Sequence, residues 1–570
     1  MLRVFMGGAD YLPSGEMYVP SLRRKTTIKC GRAKLRHEWV CSTGVIPRPY
    51  RIPAENHQTT SLAQGMARES VKLLLTTNTA QHTEKPRLNT SPVFRSFFVQ
   101  TTRRPCVIAG IQQNTSVSVL PKDKHQSVAD FYSGKSVFIT GSTGFLGKVY
   151  LEKILYSCPK LDKVYLLIRD KKGVIADKRV ADLFDNPLFK RLKSNNPDFV
   201  KKVVLVPGDL RLPNLGLSPT DEQTLIDKVS VVYHAGATVR FHEPLPVAIN
   251  INYEATKKML DLTKQMKNIE AFVYVSTAYA HGATKVLVET TYPPPAKVED
   301  VYKFMEEHGH DDLEVKKFIG SHFSTYAFSK SLSESYIAKN HGNVPTVIIR
   351  PSAVTSIKDG PVKGWLDNWF GASGILFYIN EGVIRVMHGD GNHTIDFIPV
   401  DYVSNLSIIS ALRAKESNEV QVYNCTTTSD NPLNWDTIYK QIKNEKKMTG
   451  KNKFPYVSTI YVNSKLALHL GTFFLQISPA LLADLWLKIK RKDPKYVKIV
   501  SQAIAVRNAY DYFTSNTFIM RSDRTRQLHA SLSPEDRQQF QCDPTQINWP
   551  EYLKVNMNGI YKYLKPPKVM

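Results

Sequence analysis

A glycine-rich turn between an apolar, β-branched run and a helical stretch constrains the fold of this chain more than any other feature. The segment VFITGSTGFLGKVYLEKILYSC places Gly141, Gly144 and Gly147 at intervals of three residues. Glycines at this spacing permit a tight turn, close approach of a pyrophosphate to the backbone, and close packing of the helix on the strand. The helix N-terminus then faces the phosphates. We therefore predict a dinucleotide-binding loop made of Gly141, Ser142, Thr143, Gly144, Phe145, Leu146 and Gly147.

Short apolar runs recur after this turn, and helical stretches separate them. The runs are VFIT, VYLLI, VVLV, VVYHA, AFVYVS and TVIIR, at residues 137–140, 164–168, 203–206, 231–235, 271–276 and 346–350. Continuous apolarity over four to six residues is typical of strands that are buried on both faces. Alternation of such strands with helices predicts an α/β fold, a doubly wound parallel sheet of the Rossmann type.

The end of the second run indicates which dinucleotide is bound. An acidic residue there would bind the adenosine ribose hydroxyls, whereas a basic residue would pair with a 2′-phosphate. The run ends in Arg169, which Asp170 and two lysines follow. Because the basic residue comes first, we expect NADPH, although Asp170 leaves NADH open. Asp209, in PGDL after the third run, is expected to meet the adenine edge.

Composition divides the chain into three parts. Residues 1–127 carry 19 Lys and Arg against 7 Asp and Glu, out of a formal net charge of +25 for the whole chain, and they show no sustained period of 2 or 3.6. This composition predicts a basic, disordered extension. Residues 128–420 hold the alternating runs and form the predicted nucleotide-binding domain. Residues 421–570 are rich in Lys, Tyr and Phe at helical spacing, and they predict a smaller, mainly helical domain.

Several other classes of site and protein are excluded by the sequence. The six cysteines form no C-x-x-C pair and have no His at metal spacing, so neither a disulfide framework nor a metal site is expected. No apolar segment of signal-peptide type follows the first charges, so secretion is not expected. Beyond the N-terminal extension the charges are mixed and carry no nucleic-acid-binding motif, so we expect no nucleic-acid partner.

A Tyr and a Lys four residues later lie on one face of a helix, and this pair is the catalytic pair of short-chain dehydrogenases. In these enzymes the Lys binds the nicotinamide ribose, and its charge lowers the pKa of the Tyr. The pattern Y-x-x-x-K begins at six tyrosines, so position must decide among them: Tyr156, Tyr253, Tyr326, Tyr439, Tyr461 and Tyr561. Only Tyr326 and Lys330 lie between the fifth and sixth runs, after a hydroxyl at the C-terminal end of the fifth. Thr277 is the expected hydroxyl, and Ser276 is its rival.

The motifs together resemble the alcohol-forming fatty acyl-CoA reductases, most of all those of insects. The resemblance covers about residues 128–565 and rests on TGSTGFLGKVYLEKIL, VYLLIRDKKG, HAGATVRF, YVSTAY, YAFSKSLSE, IIRPSAV, GWLDN and DFIPVDYVSN. It implies that a long-chain fatty acyl-CoA is reduced to a primary alcohol with two NADPH and release of CoA. It also implies that Tyr326 donates a proton and Thr277 a hydrogen bond to the developing oxyanion, while Lys330 contacts the cofactor.

A membrane surface is the remaining expected partner. The segment LALHLGTFFLQISPALLADLWL, residues 466–487, is long enough to span a bilayer, but His469, Gln476, Pro479 and Asp484 interrupt it. Two alternatives stay open: a pair of buried helices broken at Pro479, or a shallow hairpin on the bilayer with KIKRK at the headgroups. Many relatives continue into a hydrophobic anchor where this chain reads YLKPPKVM. We therefore expect peripheral association with the cytosolic face of the endoplasmic reticulum or the peroxisome.

One other enzyme class would share the fold and the Tyr/Lys pair. An extended short-chain dehydrogenase that acts on a nucleotide sugar, such as an epimerase or dehydratase, is expected to keep its cofactor bound through the reaction. Net consumption of NADPH with an acyl-CoA separates the two classes. Periodicity does not determine the acyl chain length or the oligomeric state.

Overall fold

A parallel sheet of seven strands organises the molecule. The computed structural model describes residues 126–171, 173–241, 243–282, 284–369, 371–449 and 458–564, with Asp10–Tyr11 and Met17–Tyr18. The strands are Ser136–Thr140 (β1), Val164–Ile168 (β2), Val203–Pro207 (β3), Val229–His234 (β4), Ala271–Val275 (β5), Thr346–Pro351 (β6) and Gln421–Cys425 (β7). Their spatial order is β7-β6-β5-β4-β1-β2-β3, and every neighbouring pair is parallel. The predicted doubly wound fold is confirmed.

The strands are apolar throughout because each sheet face is covered. Val137 and Ile139 of β1 belong to one hydrophobic cluster, while Phe138 between them belongs to another on the opposite face. All three side chains are fully buried. This arrangement follows from the strand period of two, which sends successive side chains to opposite faces.

Helices lie on both sides of the sheet. Those before β6 are Val128–Tyr132, Phe145–Ser157 (α1), Ala176–Phe184, Lys190–Asn195, Pro219–Lys228, the continuous helix of Leu245–Ala248, Ile249–Glu254 and Ala255–Gln265 (α2), Val298–His308, Asp312–Phe318 and Thr325–Asn340 (α3). Short 3₁₀ turns lie at Pro187–Phe189, Pro197–Lys202, Pro213–Gly216, Ala414–Glu416 and Pro544–Gln546.

The C-terminal part is mainly helical, as expected. Its helices, with those after β6, are Ser373–Asn380, Val400–Ala411 (α4), Trp435–Thr449, Lys465–Ile489 (α5), Tyr496–Ala509 (α6), Asp511–Thr514, Asp523–Ala530, Pro534–Gln539 and Trp549–Tyr563 (α7). Two-stranded pairings join Val286–Leu287 to Ile519–Met520, Ala353–Thr355 to Phe397–Pro399, Val386–His388 to Ile460–Val462, and Thr394–Ile395 to Leu433–Asn434.

The sheet continues past the predicted domain boundary at residue 420. β7 begins at Gln421 and pairs with β6, so its residues complete the sheet. The hydrophobic cluster that contains Val137 of β1 also contains Tyr552 and Ile560 of α7. The helical C-terminal part therefore shares a core with the sheet. The predicted extension, residues 1–127, lies almost entirely outside the described residues.

Candidate functional site

The glycine turn lies at the carboxyl end of β1. The next strands along the chain, β2 and β3, lie on one side of β1, and β4 to β7 lie on the other side. Such a switch point opens a crevice for ligands in doubly wound folds. Gly141 has φ +78°, and a Cβ there would lie 2.8 Å from the backbone nitrogen of Gly236. A Cβ on Gly147 would lie 2.2 Å from the Gly141 carbonyl oxygen. Both positions therefore require glycine, one for its backbone conformation and one for helix packing.

Two kinds of polar group at this turn are left without a side-chain partner among the described residues. Helix α1 begins after Gly144, and no side chain caps its first turn. The Ser142 hydroxyl is buried and makes no hydrogen bond among the described residues. Free N–H groups at a helix N-terminus and an unpaired buried hydroxyl both suit phosphate oxygens. The residues present therefore fit a dinucleotide.

A cluster of arginines surrounds Asp209 at the rim of the crevice. Arg169 Nη1 lies 3.3 Å from Asp209 Oδ2, and Arg211 Nη2 lies 2.6 Å from the same oxygen. Burial alone would raise the pKa of Asp209, but hydrogen bonds from Arg211 and the charge of Arg169 hold it below its ordinary value. Asp209 is thus an anion that orients two guanidinium groups.

A further arginine, which the sequence analysis missed, joins this rim to the glycine turn. Arg179 Nη2 donates to Thr143 Oγ1 at 2.9 Å, and its Nη1 donates to the carbonyl oxygen of Arg169. Burial and the neighbouring charge of Arg169 lower the pKa of Arg179. Two adjacent guanidinium groups attract an anion. Asp170, by contrast, accepts a hydrogen bond from the Ala176 backbone nitrogen at 2.8 Å, at the start of a helix.

The predicted catalytic tyrosine and threonine lie together beside the carboxyl end of β5. Tyr326 is in the first turn of α3, and its side chain lies close enough to that of Thr277 for the Thr277 hydroxyl to act on the pKa of the phenol. The Tyr279 backbone nitrogen donates to Thr277 Oγ1 at 3.3 Å. The Ser276 hydroxyl is buried and makes no hydrogen bond to any described residue. The geometry therefore favours Thr277 over Ser276 as the partner of Tyr326.

Lys330 lies one helical turn after Tyr326 and is 2% exposed. Its Nζ donates to the Val275 carbonyl oxygen at 2.8 Å and lies 4.6 Å from the ring centroid of Tyr274. Burial lowers the pKa of Lys330 to about 7, against the opposing charge of Glu334. The amine is therefore held in place at the end of β5 and changes charge near neutral pH.

The expected lowering of the tyrosine pKa by the lysine is not observed. Burial raises the pKa of Tyr326 to about 12, and the nearby Thr277 hydroxyl acts in the opposite direction. Desolvation dominates because the Lys330 amine is directed at a backbone carbonyl and its own positive charge is disfavoured. Tyr326 is thus a neutral phenol at physiological pH, which is the form that can donate a proton.

A buried ionic cluster lies next to Lys330, and its members were not predicted. Glu334, one turn further along α3, pairs with Arg350 Nη2 at 2.6 Å and with His281 Nε2 at 2.8 Å. Arg350 is 0% exposed and also donates to the carbonyl oxygens of Val288 and Thr290. Burial would raise the pKa of Glu334, but Arg350 and His281 hold it well below its ordinary value. The spacing Y-x-x-x-K-x-x-x-E was the available signal.

Two aromatic side chains, one of them from the C-terminal part, pack in a row beside Tyr326. The ring centroids of Tyr326 and Phe241 are 6.2 Å apart, and those of Phe241 and Phe513 are 6.1 Å apart. Phe513 lies in the helix Asp511–Thr514 and is 5% exposed. The region after β7 therefore contributes to the environment of the candidate catalytic group. No pattern in the sequence linked residues so far apart.

The other Y-x-x-x-K tyrosines belong to other elements, although the Tyr253 ring packs against that of Tyr336 of α3 at a centroid distance of 5.7 Å. Tyr156 is in α1, Tyr253 is in α2, Tyr439 is in Trp435–Thr449, Tyr461 is in a short strand, and Tyr561 is in α7. Among the described residues no group of three or more His, Cys, Asp or Glu side chains is arranged to hold a metal ion.

Comparison with known proteins finds relatives over most of the chain. Two family models described as Male sterility protein match this chain. The first, an NAD-binding model, matches residues 139–407, and the second matches residues 475–565. The chain is 36% identical over 446 residues to fatty acyl-CoA reductase 1 of Rattus norvegicus, across 77% of this chain and 86% of that protein. It is 33% identical over 440 residues to fatty acyl-CoA reductase wat of Drosophila melanogaster, across 76% of this chain and 85% of that protein.

A solved structure supports the fold. The terminal R domain from the myxalamid PKS-NRPS biosynthetic pathway superposes with a TM-score of 0.50 at 18% identity, over 76% of this chain and 92% of that domain. Identity at this level supports the architecture alone. The glycine turn, the nicotinamide-dinucleotide fold and the two sequence relatives lead to one conclusion: the chain belongs to the fatty acyl-CoA reductase family.

Proposed function

We propose that this protein reduces long-chain fatty acyl-CoA to a primary fatty alcohol, with NADPH as the hydride donor and release of CoA. The observation that carries the proposal is the convergence of Tyr326, Thr277 and Lys330 at the carboxyl end of β5, in a chain of this family. The alternative, an extended short-chain dehydrogenase that acts on a nucleotide sugar, is disfavoured because the two sequence relatives are fatty acyl-CoA reductases.

The chemical step requires a proton donor beside a carbonyl oxygen. When bound, NADPH supplies the hydride. Tyr326 is a neutral phenol that donates its proton to the oxyanion, and Thr277 donates a hydrogen bond to the same oxygen. Loss of CoA as a thiol leaves an aldehyde, and a second hydride with a second proton from Tyr326 yields the alcohol. Lys330 orients the ribose and supports re-protonation of Tyr326.

The preference for NADPH is supported by the charges at the rim. The Arg179 guanidinium group donates to Thr143 Oγ1 of the glycine turn and to the Arg169 carbonyl oxygen, and the charge of Arg169 acts on it. The Asp170 carboxylate already accepts a hydrogen bond from the Ala176 backbone nitrogen, so it does not need a ribose hydroxyl as its partner. A 2′-phosphate would be stabilised by the two arginines, whereas NADH offers them no anion at this position.

The acyl group is expected to lie along the aromatic residues near Tyr326. Phe241, Phe323 and Phe513 pack edge-to-face or tilted, at centroid distances of 5.0 to 6.1 Å. An apolar wall of this kind suits methylene groups and excludes water from the reacting carbonyl. A sugar substrate would instead need polar partners on this side.

The proposed location is the cytosolic face of the endoplasmic reticulum or peroxisome, by peripheral association. A long-chain alcohol is poorly soluble in water and partitions into bilayers. Helix α5 is long and apolar enough to cross a membrane by length and composition, with a mean hydropathy of 1.6. The product would thus be released close to the surface that dissolves it.

Product analysis tests the proposal. Purified full-length protein is incubated with NADPH and acyl-CoA thioesters of increasing chain length, and alcohol, aldehyde and free thiol are measured. We expect two NADPH oxidised for each CoA released and no reaction with nucleotide sugars. Thr277→Ala should lower kcat with little change in NADPH affinity, because the hydrogen bond forms mainly in the transition state. Turnover of a nucleotide sugar without net NADPH oxidation would refute the assignment.

A further inference from the structure

Helix α5, Lys465–Ile489, exposes apolar side chains along its whole length. Ten large hydrophobic residues on it are between 42% and 69% exposed: Leu466, Leu470, Phe473, Phe474, Leu475, Leu481, Leu482, Leu485, Trp486 and Ile489. We call these residues the apolar face. A patch of this size on a water-soluble protein is normally covered by a partner or a membrane.

The side of α5 that packs on the protein is the more polar one. Thr472, Gln476 and Asp484 are buried at intervals of four to eight residues. Thr472 Oγ1 accepts a hydrogen bond from the buried Arg507 at 2.7 Å, and the Gln476 amide finds no partner among the described residues. This distribution is the reverse of that in an amphipathic helix on a soluble protein, whose polar side faces water.

Asp484 fixes α5 against the following helix. Its two carboxylate oxygens accept hydrogen bonds from the backbone nitrogens of Lys495, Tyr496 and Val497, at 2.8 to 2.9 Å, where α6 begins. A transmembrane orientation would pull α5 away from these donors and from Arg507. The structure differs from both alternatives left open by the sequence. α5 is not a pair of buried helices, because it is mostly exposed, and it is not a hairpin, because it runs continuously through Pro479.

Positive charge gathers where the apolar face ends. Lys488, Lys490, Arg491, Lys492 and Lys495 are all exposed, and we call them the basic cluster. The acidic residues between 465 and 495 are Asp493 and the buried Asp484. A second copy that met this one through the same segment would bring Asp493 as its one exposed carboxylate, whereas anionic lipid headgroups would neutralise the whole cluster.

We propose that the apolar face binds one leaflet of a lipid bilayer with anionic headgroups, and that α5 lies in the plane of the membrane instead of crossing it. Trp486, with Lys490 Nζ 5.8 Å from its ring centroid, is suited to the headgroup level. This inference deepens the proposed membrane location and does not depend on the catalytic chemistry.

A short chain of contacts links helix α5, which carries the apolar face, to the candidate catalytic group. Gly471 of α5 packs against Val386, and His388 of the same short strand lies 2.7 Å from Asp511 Oδ1. Asp511 begins the helix that carries Phe513 to the aromatic side chains beside Tyr326. The helix that would bind the leaflet and the site of alcohol formation are thus joined by packed elements of the protein.

Flotation of the full-length protein with vesicles tests the proposal. We expect binding to vesicles of phosphatidylcholine and phosphatidylserine, and weaker binding to phosphatidylcholine alone. Replacing Lys490, Arg491 and Lys492 by Gln should lower partitioning onto the anionic vesicles by about 100-fold, at about fivefold for each charge. Leu482→Asp should lower it by roughly tenfold or more.

Matched variants elsewhere on the surface control for these effects. Leu313→Asp removes an apolar side chain that is 73% exposed, and Gln at Lys190, Lys193 and Lys201 removes three exposed charges. Neither should change partitioning. Equal loss in the controls, or no binding to either vesicle, would overturn the proposal. Turnover of a water-soluble short-chain acyl-CoA should be the same in every variant, which separates failure here from failure of the proposed activity.

A depth measurement distinguishes lying in one leaflet from spanning. Phe474→Trp puts a fluorophore near the middle of α5, and the emission gained over the parent protein is measured with lipids brominated at shallow or deep positions. The proposal predicts stronger quenching by shallow bromine. Stronger quenching by deep bromine would contradict it. A dimer that Leu482→Asp converts to a monomer, and that persists when vesicles are added, would also contradict it.

Discussion

The rim arginines give the most quantitative prediction, because cofactor choice rests on a few charges. Replacing Arg169 or Arg179 by Ala should raise the KM for NADPH strongly and leave that for NADH almost unchanged. Arg169 is 39% exposed at its side chain and already pairs with Asp209, so its charge is screened and partly neutralised. One unit charge about 4 Å from a dianionic phosphate contributes about 2 kcal/mol in a water-like dielectric.

That energy corresponds to a loss of about 30-fold, and neutralisation by Asp209 reduces it to about 5- to 30-fold for Arg169→Ala. Arg179 makes no hydrogen bond to a carboxylate among the described residues, although the charge of Asp170 acts on it, and it is held by Thr143, so we expect the upper end of that range for Arg179→Ala. Initial rates at varied NADPH and NADH give both KM values. Asp170→Asn is the control for ribose binding, because it keeps an acceptor for the Ala176 nitrogen and should leave the KM for NADH unchanged.

Equal increases in KM for the two cofactors after either arginine substitution would show that these side chains organise the loop without contacting a 2′-phosphate. A large increase in the KM for NADH after Asp170→Asn would mean that this carboxylate binds the ribose. In either case the reasoning from the rim charges to NADPH would be refuted.

Three further substitutions or conditions test the site. Gly147→Ala should weaken NADPH binding by about 5- to 150-fold, as measured by equilibrium titration. A Cβ at this position would lie 2.2 Å from a carbonyl oxygen, and overpacking of this kind costs about 1–3 kcal/mol. Unchanged affinity would contradict the tight packing. Burial lowers the pKa of Lys330 to about 7, so its positive charge is present below that pH and lost above it. The KM for NADPH should therefore rise from about pH 6 to about pH 9, and a flat profile would refute the charge state. Glu334→Gln should lower the free energy of unfolding by about 3–5 kcal/mol, because it leaves a buried guanidinium unpaired. Glu314→Gln, at an exposed pair, should change it by about 0.5 kcal/mol or less.

The sheet was predictable because its strands are buried on both faces. Runs such as VYLLI match β2 residue for residue, since only a strand with no solvent face is apolar at every position. β7, QVYNC, was missed because Gln421 and Asn424 interrupt its apolarity. Both are buried and hydrogen-bonded, Gln421 to the Arg413 carbonyl oxygen and Asn424 to that of Arg521. Polar residues that are satisfied by tertiary contacts leave no pattern in the sequence.

The candidate site was predictable where chemistry fixes position. Tyr326 and Lys330 follow from the helix after β5, and the glycine turn follows from β1. Arg179 and Phe513 approach the site from a separate helix and from the C-terminal part, so only the folded chain brings them near. The tyrosine pKa was predicted in the wrong direction because burial, which the sequence does not reveal, outweighs the neighbouring charge.

Removal of one hydroxyl tests the central claim most directly. Alcohol formation from a long-chain acyl-CoA is measured for the parent protein and for Tyr326→Phe, with Tyr253→Phe, Tyr439→Phe and Tyr461→Phe as controls that begin the same Y-x-x-x-K pattern elsewhere. The account predicts that Tyr326→Phe lowers the rate by about 10²- to 10⁴-fold while NADPH still binds, since only the proton donor is lost. The three controls should keep most of their turnover. Alcohol formation by Tyr326→Phe at near the parent rate would contradict the assigned mechanism.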